Sequence, residues 1–345
     1  MSPSATETEV LGQPEALERF LGSQRPRLRE IAPRLLGGDV RYVVVVARGT
    51  SDNAARYGQY VLGIYNRLVV ALAAPSILTL YDAVPRLDGA LVMAVSQSGA
   101  SPDVTAVLEE GRRQGRPTIA FTNEPESPAA RAAEHVVELH AGLEQGVAAT
   151  KTYMNSLAGL ALLSATAVDD ERRLGELEDV PRRVAEQCEL ARGIDMTVYA
   201  GVASGTVVAR GVTYGTAFEI ALKLRELSGI PFEPYSAADI MHGPIGAVHA
   251  NQLTVLVAPR GPGLDDMRKI AENVRVRGGA LAILTDVPEF LQEADLPLPL
   301  VEGCPQWLTP LVAVVPGQFM GIRLAEARDI DPDRPNKLTK VTLTR

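Results

Sequence analysis

The sequence predicts an α/β protein made of two similar units, each a parallel β-sheet with helices on both faces. Continuous apolar runs alternate with helical stretches, which is the pattern of a parallel sheet covered on both sides. Blocks of the first half of the chain recur in the second half in the same order. The length of 345 residues, 46% of them hydrophobic, suffices for two cores.

Composition argues against several classes of partner. The net charge of −8 argues against nucleic acid, because such binding depends on clustered Lys and Arg. Cys188 and Cys304 lie far apart in no metal-ligand spacing, so we expect no disulfide and a reducing, cytoplasmic setting. The polar start "MSPSATETEV" lacks a signal-peptide pattern, and apolar runs such as "LVVALAAP" are too short to span a bilayer, so we expect no membrane partner.

The elements follow one another in a regular order. Residues 1–10 are predicted to be disordered, and "PEALERFLGSQRPRLREIAPRLL" is predicted to be helical because its apolar residues recur at spacings of three and four. Five β-rich runs then alternate with helices: "YVVVVA", "ILTLY", "LVMAVS", "TIAFTN" and "HVVELH". The predicted divisions are an N-terminal helical arm (1–35), a first domain (36–165), a charged helical linker (166–195), a second domain (196–330) and a C-terminal tail (331–345).

An internal repeat relates the two halves of the chain. "VVVARGTSDNAARYGQYVL" recurs as "TVVARGVTYGTAFEIALKL", with an offset of 162 residues from Ala47 to Ala209. "LVMAVSQSG" recurs as "LTVLVAPRG" at the same offset, and "QGRPTIAFTN" recurs as "RGGALAILTD" at 163. Three blocks in one order favour a tandem duplication over two unrelated βα units that share a composition.

A polar turn follows the run "LVMAVSQSGASPD". Pro102 and Asp103 are helix-start signals, so the strand leads through serines and a glutamine into a helix N-terminus. The turn "ARGTSDN" brings Thr50 and Ser51 to the same edge of the predicted sheet. Helix N-termini surrounded by hydroxyls attract anions, phosphate above all.

The repeat bears on what these hydroxyls do. The second copy has "APRG" where the first has "SQSG", so the strand-turn-helix unit does not require Ser96, Gln97 and Ser98. This favours a ligand role. The alternative is a local one, in which Ser101 caps a helix and Ser96 or Thr50 closes a turn.

A second charged pattern lies on the helix predicted from Tyr214 to Gly229. Glu219, Lys223 and Glu226 fall at spacings of four and three and share one stripe, where Lys223 reaches both carboxylates. An exposed ion pair of little energetic weight is the alternative interpretation. The opposite, apolar face is predicted to consist of Ala217, Ile220, Leu224 and Leu227.

Two irregular segments complete the pattern. "PFEPYSAADIMHGPIG" is predicted to be a loop, and it carries His242 where catalytic groups often collect, although a lone loop histidine more often has no role. The end "DIDPDRPNKLTKVTLTR" is either solvated or docked on the body, and docking would bring Lys337 or Lys340 into a site.

Together these motifs resemble the SIS (sugar isomerase) family, and within it the isomerase part of glucosamine-6-phosphate synthase and its stand-alone deaminase-type relatives. The segments that carry the resemblance run in order through residues 40–345: "ARGTSDNA", "SQSGASPD", "EQGVAATKTY", "EIALKLRELSGIPFEPYSAADIMHGP" and "RPNKLTKVT". The resemblance implies two tandem SIS domains, each a doubly wound, flavodoxin-like three-layer sandwich. It also implies a hexose 6-phosphate as ligand, no metal or cofactor, and a homodimer with a shared active site.

The resemblance also implies roles for individual residues. Glu226 would move the proton between C1 and C2, with Lys223 close to it. His242 would assist ring opening, often from a second subunit, and Lys340 would form a Schiff base with the ketose. The phosphate and sugar hydroxyls would be held by residues of the turns and of one further loop: Thr50, Ser51, Ser96, Gln97, Ser98, Ser101, Val147 and Ala149.

The chain departs from the family in three places. Ala100 and Ser101 stand where Glu and Thr are common, and Arg225 stands where Lys is common, so sugar contacts there are expected to differ. Position 2 is Ser2 and only about 40 residues precede the first strand, so we expect no glutaminase domain with an N-terminal cysteine.

The activity expected from the resemblance is conversion of glucosamine 6-phosphate to fructose 6-phosphate and ammonia. Enzymatic alternatives are the isomerase half of a glutamine–fructose-6-phosphate transaminase, a deglycase, and a galactosamine-6-phosphate deaminase/isomerase. The non-enzymatic alternative is a sugar-phosphate-sensing SIS module, which would not need Glu226, His242 and Lys340.

Overall fold

The computed structural model describes residues 3–335 in two compact units. The front unit consists of residues 15–143 and 151–181, and the rear unit of residues 3–14, 144–150 and 182–335. These bounds differ from the predicted divisions. Residues 3–14 belong to the rear unit and not to one arm with residues 15–35, because the first helix is hydrogen-bonded to the segment around Asp333.

Two helices open the chain. The structure has a helix α1 (Ala5–Leu11), so the prediction that residues 1–10 are disordered is wrong. Ser4 caps this helix by accepting a hydrogen bond from the Glu7 amide at 3.0 Å. The polar sequence is held as a helix because its buried acidic side chains are paired within the rear unit, Glu7 with Arg323 and Glu9 with backbone amides of residues 145–146. α2 (Gln13–Leu35) follows as the predicted amphipathic helix.

The front unit has five strands and seven helices among its described residues, counting α2. The prediction that "ILTLY" is a strand is wrong. Its first residues lie in a short helix, because backbone amides there donate to the carbonyls of Pro75 and Ser76. The second strand lies just before this helix. The elements are β1 (Tyr42–Val46), α3 (Thr50–Asn66), β2 (Val69–Leu72), α4 (Ser76–Thr79), β3 (Ala90–Ser96), α5 (Pro102–Arg113), β4 (Thr118–Thr122), α6 (Pro128–Ala132), β5 (His135–Glu138), α7 (Lys151–Ala167) and α8 (Glu171–Glu178).

The rear unit repeats this arrangement. α9 (Val180–Ala191) leads into β6 (Ser204–Ala209), and the helix with the charged stripe follows as α10 (Tyr214–Ser228). The segment predicted to be a loop around His242 instead contains a strand, a helix and a 3₁₀ turn (Pro244–Ala247), because Ser236 caps a new helix turn. The remaining elements are β7 (Phe232–Ser236), α11 (Ala237–Met241), β8 (Gln252–Val257), α12 (Leu264–Val276), β9 (Ala280–Thr285), α13 (Pro288–Leu291), β10 (Leu296–Pro299) and α14 (Thr309–Glu326).

The two sheets have the same topology, which confirms the predicted fold class and repeat. Their strand orders are β2-β1-β3-β4-β5 and β7-β6-β8-β9-β10, and neighbouring strands of the described residues pair in parallel. In each sheet the order reverses beside the first strand, between β1 and β3 and between β6 and β8. Ligands of open parallel sheets bind outside the carboxyl ends of the strands at such a switch point.

Apolar residues cover both faces of the rear sheet. Val207 and Ala209 of β6 pack with the side of α10 and α14, whereas Val208 between them packs with the side of α11 and α12. The segment Gln306–Glu326 is the one described helix that is long and apolar enough to cross a membrane, and 94% of its most apolar window is buried inside the protein. This burial is typical of a helix in the core of a globular unit.

Candidate functional site

Two turns meet at the switch point of the front sheet. β1 and β3 are paired with Val46 opposite Ala94, so the turns that follow them start at the same edge. Gly49 has φ of 53° and ψ of −128°, a conformation that favours glycine, and it leads directly into Thr50 at the start of α3. Thr50 and Ser51 are half-buried, so this helix start faces the edge where a ligand is expected.

The serine turn after β3 has a fixed shape. Ser96 Oγ accepts a hydrogen bond from the Gly99 amide at 3.1 Å, and Ser98 Oγ accepts one from the Ala100 amide at 3.3 Å. Gly99 has φ of 57°, and a Cβ at this position would overlap Ser127. Only glycine fits here, because both the backbone angle and the neighbouring side chain exclude a larger residue.

The local interpretation of the hydroxyls is correct only in part. Ser96 and Ser98 do close the turn, as that interpretation requires. Ser101 occupies the N-cap position of α5, but its side chain makes no capping hydrogen bond. The side chains of Ser51, Gln97 and Ser101 have no hydrogen-bond partner within residues 3–335, and all three are half-buried. Their donors and acceptors are therefore available to a ligand.

An ion pair joins the two turns, and sequence reasoning missed it. Arg48 precedes Gly49, and its Nε and Nη2 donate to Asp103 Oδ2 at 2.7 and 2.5 Å. Asp103 is fully buried in the first turn of α5, whereas the Arg48 side chain is 48% exposed. The repeat contained part of the signal, because Arg48 recurs as Arg210, which pairs at 3.7 Å with Asp266, one residue beyond the position that matches Asp103.

The predicted sugar-lining residues Val147 and Ala149 lie in the loop 144–150 of the rear unit and are half-buried. Buried Glu144 shapes this loop by accepting a hydrogen bond from the Thr150 amide at 2.9 Å. Buried Glu9 of α1 accepts from the amides of Gln145 and Gly146. Sequence reasoning missed Glu9, because a contact across 136 residues leaves no local pattern.

The charged stripe of α10 is confirmed, but it is not an exposed ion pair. Lys223 and Glu219 are almost fully buried, and Lys223 Nζ lies 3.4 Å from Glu219 Oε1 and 2.6 Å from Glu226 Oε2. The Glu226 side chain is 28% exposed, so it is the one of the two carboxylates that solvent or a ligand reaches. The predicted apolar face is buried as expected: Ala217, Ile220, Leu224 and Leu227.

Close packing against α14 holds α10 in place. A Cβ at Gly317 would overlap Ile220, and a Cβ at Gly321 would lie 2.9 Å from Leu227 and 3.3 Å from the Lys223 carbonyl oxygen. The backbones approach this closely because glycines face α10. The position of Glu226 is thus fixed by an apolar helix interface as well as by its bond to Lys223.

Lys223 stays protonated in this environment. Burial lowers the pKa of Lys223, but attraction from Glu219 and Glu226 more than offsets this, so the pKa lies above its ordinary value. The ammonium group therefore holds the Glu226 carboxylate through a charge-assisted hydrogen bond.

The other two predicted catalytic residues are not joined to this cluster by the described contacts. His242 is exposed at the end of α11, and its side chain has no hydrogen bond or ion pair within residues 3–335. Lys340 lies outside the described residues, as does Lys337. Across the described part of the chain, His, Cys, Asp and Glu side chains form no group of three or more suited to holding a metal ion.

Comparison with known proteins identifies relatives of the whole chain. The chain is 32% identical over 350 residues to glutamine–fructose-6-phosphate aminotransferase [isomerizing] of Thermococcus kodakarensis, covering 96% of this chain and 56% of that protein. The chain thus spans about half the length of the curated relatives that it matches.

Solved structures agree in fold. A provisionally assigned phosphosugar isomerase from Silicibacter pomeroyi DSS-3 is 30% identical, with a TM-score of 0.86 over 96% of this chain and 100% of that one. The C-terminal domain of glucosamine-fructose-6-phosphate aminotransferase from Francisella tularensis is 26% identical, with a TM-score of 0.88 over 97% and 99%. The SIS domain profile matches residues 39–166 and 205–291, one segment in each half of the repeat. The chain belongs to the SIS domain family.

Proposed function

We propose that the chain is a phosphosugar isomerase that deaminates an amino-sugar 6-phosphate, converting glucosamine 6-phosphate and water to fructose 6-phosphate and ammonia. The observation that carries the proposal is the division of chemistry between two matching units. The front switch point has hydroxyl-bearing turns that suit a phosphate ester, while the rear unit has "APRG" in place of the serine turn and carries the Lys223–Glu226 pair.

The proposed chemistry assigns the available groups as follows. Hydroxyls of Thr50, Ser51 and the Ser96–Ser101 turn, with the amides of two helix starts, bind the phosphate. His242 is suited to transfer the proton that opens the sugar ring, because an imidazole can both accept and donate a proton. Glu226 removes the proton from C2 and delivers it to C1, a positioned general base worth roughly 10²–10⁴ in rate.

The amine leaves after this proton transfer. Moving the hydrogen from C2 to C1 turns the amine-bearing C2 into an imine carbon. Lys340 is proposed to add to this carbon and displace ammonia, which gives a Schiff base with the ketose, and water then hydrolyses that Schiff base to the ketose and the free lysine. Lys223 is proposed to keep the Glu226 carboxylate oriented throughout, since it already donates to Oε2 at 2.6 Å.

A second candidate runs the reaction in the opposite direction. The curated relatives named above are isomerizing aminotransferases of which this chain spans about half, so an aminating isomerase unit supplied with ammonia by another domain or protein is the alternative. The two candidates share the site and differ in direction.

The test is a substrate panel with two readouts. Glucosamine 6-phosphate, galactosamine 6-phosphate, their N-acetyl forms and a fructose-amine 6-phosphate adduct are incubated with the protein, and ammonia and ketose phosphate are measured together. We expect equal amounts of both products from glucosamine 6-phosphate. Amination of fructose 6-phosphate by ammonia without appreciable deamination would favour the second candidate, and binding without any turnover would favour the sensing module.

The variant Glu226→Gln checks that the turnover belongs to this site. The amide keeps the shape of the side chain and an oxygen for Lys223 but removes the base, so turnover should fall by about 10²-fold or more. Glu272→Gln removes a carboxylate from an exposed position of α12 and serves as the matched control with unchanged turnover. Full activity in Glu226→Gln would exclude the proposed role.

A further inference from the structure

The ion pair between Arg48 and Asp103 is the feature of the front switch point that hydroxyl chemistry does not explain. Arg48 lies on the turn after β1, and Asp103 lies in the helix after β3, so one guanidinium spans both turns. Of the residues 47–51 and 96–103 that form these turns, Arg48 is the only basic one. A dianionic ligand at this edge would meet its positive charge first.

Only one edge of the Arg48 guanidinium is hydrogen-bonded within the described residues. Its Nε and Nη2 both donate to Asp103 Oδ2, while Asp103 Oδ1 accepts from the Val104 amide at 2.8 Å. Nη1 has no partner within the described residues, and the side chain is 48% exposed. The buried carboxylate thus orients a guanidinium whose other edge remains free to donate to an anion.

The rear unit provides an internal comparison. Its arginine at the matching position, Arg210, pairs more loosely at 3.7 Å with Asp266, one residue beyond the position that matches Asp103, and both side chains are about half exposed. The turn beside that pair reads "APRG" and carries no hydroxyl. Of the two arginine–aspartate pairs, only the front one has hydrogen-bonding distances and a buried aspartate, and it is the one that lies beside the serine turn.

We propose that Arg48 binds the phosphate group of the sugar ligand and that Asp103 positions it for this task. The inference rests on the proposed function, since it names a further ligand contact of that same site. It assigns to the front switch point a preference for dianionic phosphate esters over neutral sugars, through one oriented guanidinium in addition to hydroxyls and amides.

Binding of inorganic phosphate and of fructose 6-phosphate, measured by isothermal titration calorimetry, tests the proposal without requiring turnover. Arg48→Gln should raise both dissociation constants about 10- to 100-fold, the usual effect of losing a charge-assisted hydrogen bond. Arg48→Lys keeps the charge but loses the two-pronged geometry, so its loss should be smaller. Arg210→Gln is the matched control and should bind both probes as the unchanged protein does.

Asp103→Asn separates positioning from charge. If Arg48 acted through its charge alone, removing a nearby negative charge would tighten phosphate binding. If Asp103 orients the guanidinium, the same change weakens binding, and this is the result we expect. Far-ultraviolet circular dichroism and melting temperatures identify any variant that has lost its fold. If Arg48→Gln does not fold, phosphate binding by Arg48→Lys and Asp103→Asn tests the proposal in its place.

The outcomes for this inference and for the proposed function are distinguishable. Three results would each overturn the inference: unchanged phosphate binding in Arg48→Gln, equal weakening in Arg210→Gln, or tighter binding in Asp103→Asn. None of them would decide whether the protein turns over an amino-sugar phosphate. Absence of turnover in a protein that binds fructose 6-phosphate through Arg48 would overturn the proposed function and keep the inference.

Discussion

At the scale of single residues, the most constrained group is the Lys223 ammonium. It is almost completely buried, and it is tolerated there because two carboxylates on its own helix lie within 3.4 Å. The helical spacing predicted this cluster, but not its burial. Burial results from the glycines of α14, which allow that helix to cover α10, and spacing within α10 contains no information about them.

Replacing Lys223 by Met should destabilise the protein by about 3–5 kcal/mol, because it removes the ammonium group that lies 3.4 Å from the buried Glu219 carboxylate. Urea unfolding of both proteins measures the difference. Glu226→Gln, which keeps the Lys223–Glu219 pair, is the control and should retain most of the stability. Equal stability of Lys223→Met and the unchanged protein would contradict the ion-pair geometry.

The pKa of Lys223 also predicts an alkaline limit to stability. Because the pKa is raised in the folded state, the stabilisation is complete below the unfolded value near 10.4 and is lost as the pH rises through the folded value. The free energy of unfolding should therefore fall less steeply above about pH 10.4 in Lys223→Met than in the unchanged protein. Parallel pH profiles for the two would refute this linkage.

The two cysteines should differ in reactivity. Burial raises the pKa of the Cys188 thiol to about 12, while Cys304 is only partly buried. The thiolate is the reactive form, so a thiol reagent at pH 8 should modify one cysteine of the native protein and two after denaturation. Mass spectrometry of the modified peptides identifies which one; rapid native labelling of Cys188 would contradict its burial.

At the scale of elements, α1 connects parts of the rear unit that are far apart in sequence. Asp333 accepts hydrogen bonds from the amides of Ala5 and Thr6, each at 2.8 Å, so it caps this helix from the other end of the chain. Glu7 pairs with Arg323 of α14 at 2.7 Å, and Glu9 holds the loop 144–150. The segment 331–335 and the predicted sugar-lining loop are therefore attached to one short helix.

Asp333→Asn should weaken this attachment. The amide nitrogen cannot accept the second backbone hydrogen bond, so we expect a loss of about 1 kcal/mol in unfolding free energy. Turnover should fall by more than this loss explains, because residues 331–335 lead into the tail that carries Lys340. Asp329→Asn, at an exposed position of the same stretch, is the control. Unaltered turnover in Asp333→Asn would separate this segment from catalysis.

The elements also show how far sequence reasoning reaches. Strands such as β1, β3 and β4 were predicted because continuous apolar runs between turn signals leave little alternative. α1 was missed because its acidic residues look solvated until their partners, Arg323 and the amides of residues 145–146, are known. The short α4 was mistaken for a strand because four apolar-rich residues have no usable period.

At the scale of the whole molecule, the duplication explains how one candidate turn could be predicted. The second copy has the same topology with "APRG" in place of "SQSG", so Ser96, Gln97 and Ser98 are not required by the strand-turn-helix unit. Thr50 and Ser51 are candidates for a different reason, because their turn starts at the same edge of the sheet. The Arg48–Asp103 pair was overlooked for the opposite reason. Its arginine is the same residue in both copies, and identity between copies indicates duplication and does not point to a ligand role.

The predicted homodimer with a shared site can be tested by mixing two inactive variants. Glu226→Gln and His242→Ala are each expected to lack activity, yet a mixed dimer has one site with an intact Glu226 and an intact His242 if the histidine comes from the neighbouring subunit. Random reassociation of equal amounts should then restore about a quarter of full activity. No recovery, in a mixture shown by mass spectrometry to contain mixed dimers, would place each complete site within one chain.

The glycines of α14 have a consequence for how this protein tolerates change. Gly317 and Gly321 touch nothing that reacts, yet one added methyl would overlap the Ile220 side chain at the first position and press on Leu227 and the Lys223 carbonyl at the second, in the helix that carries the proposed proton carrier. Random mutagenesis that scores only sugar turnover should thus return a cluster of inactivating substitutions in the apolar interface between α10 and α14. A map of ligand contacts would not explain such substitutions, because they act by the steric overlap of one added carbon atom.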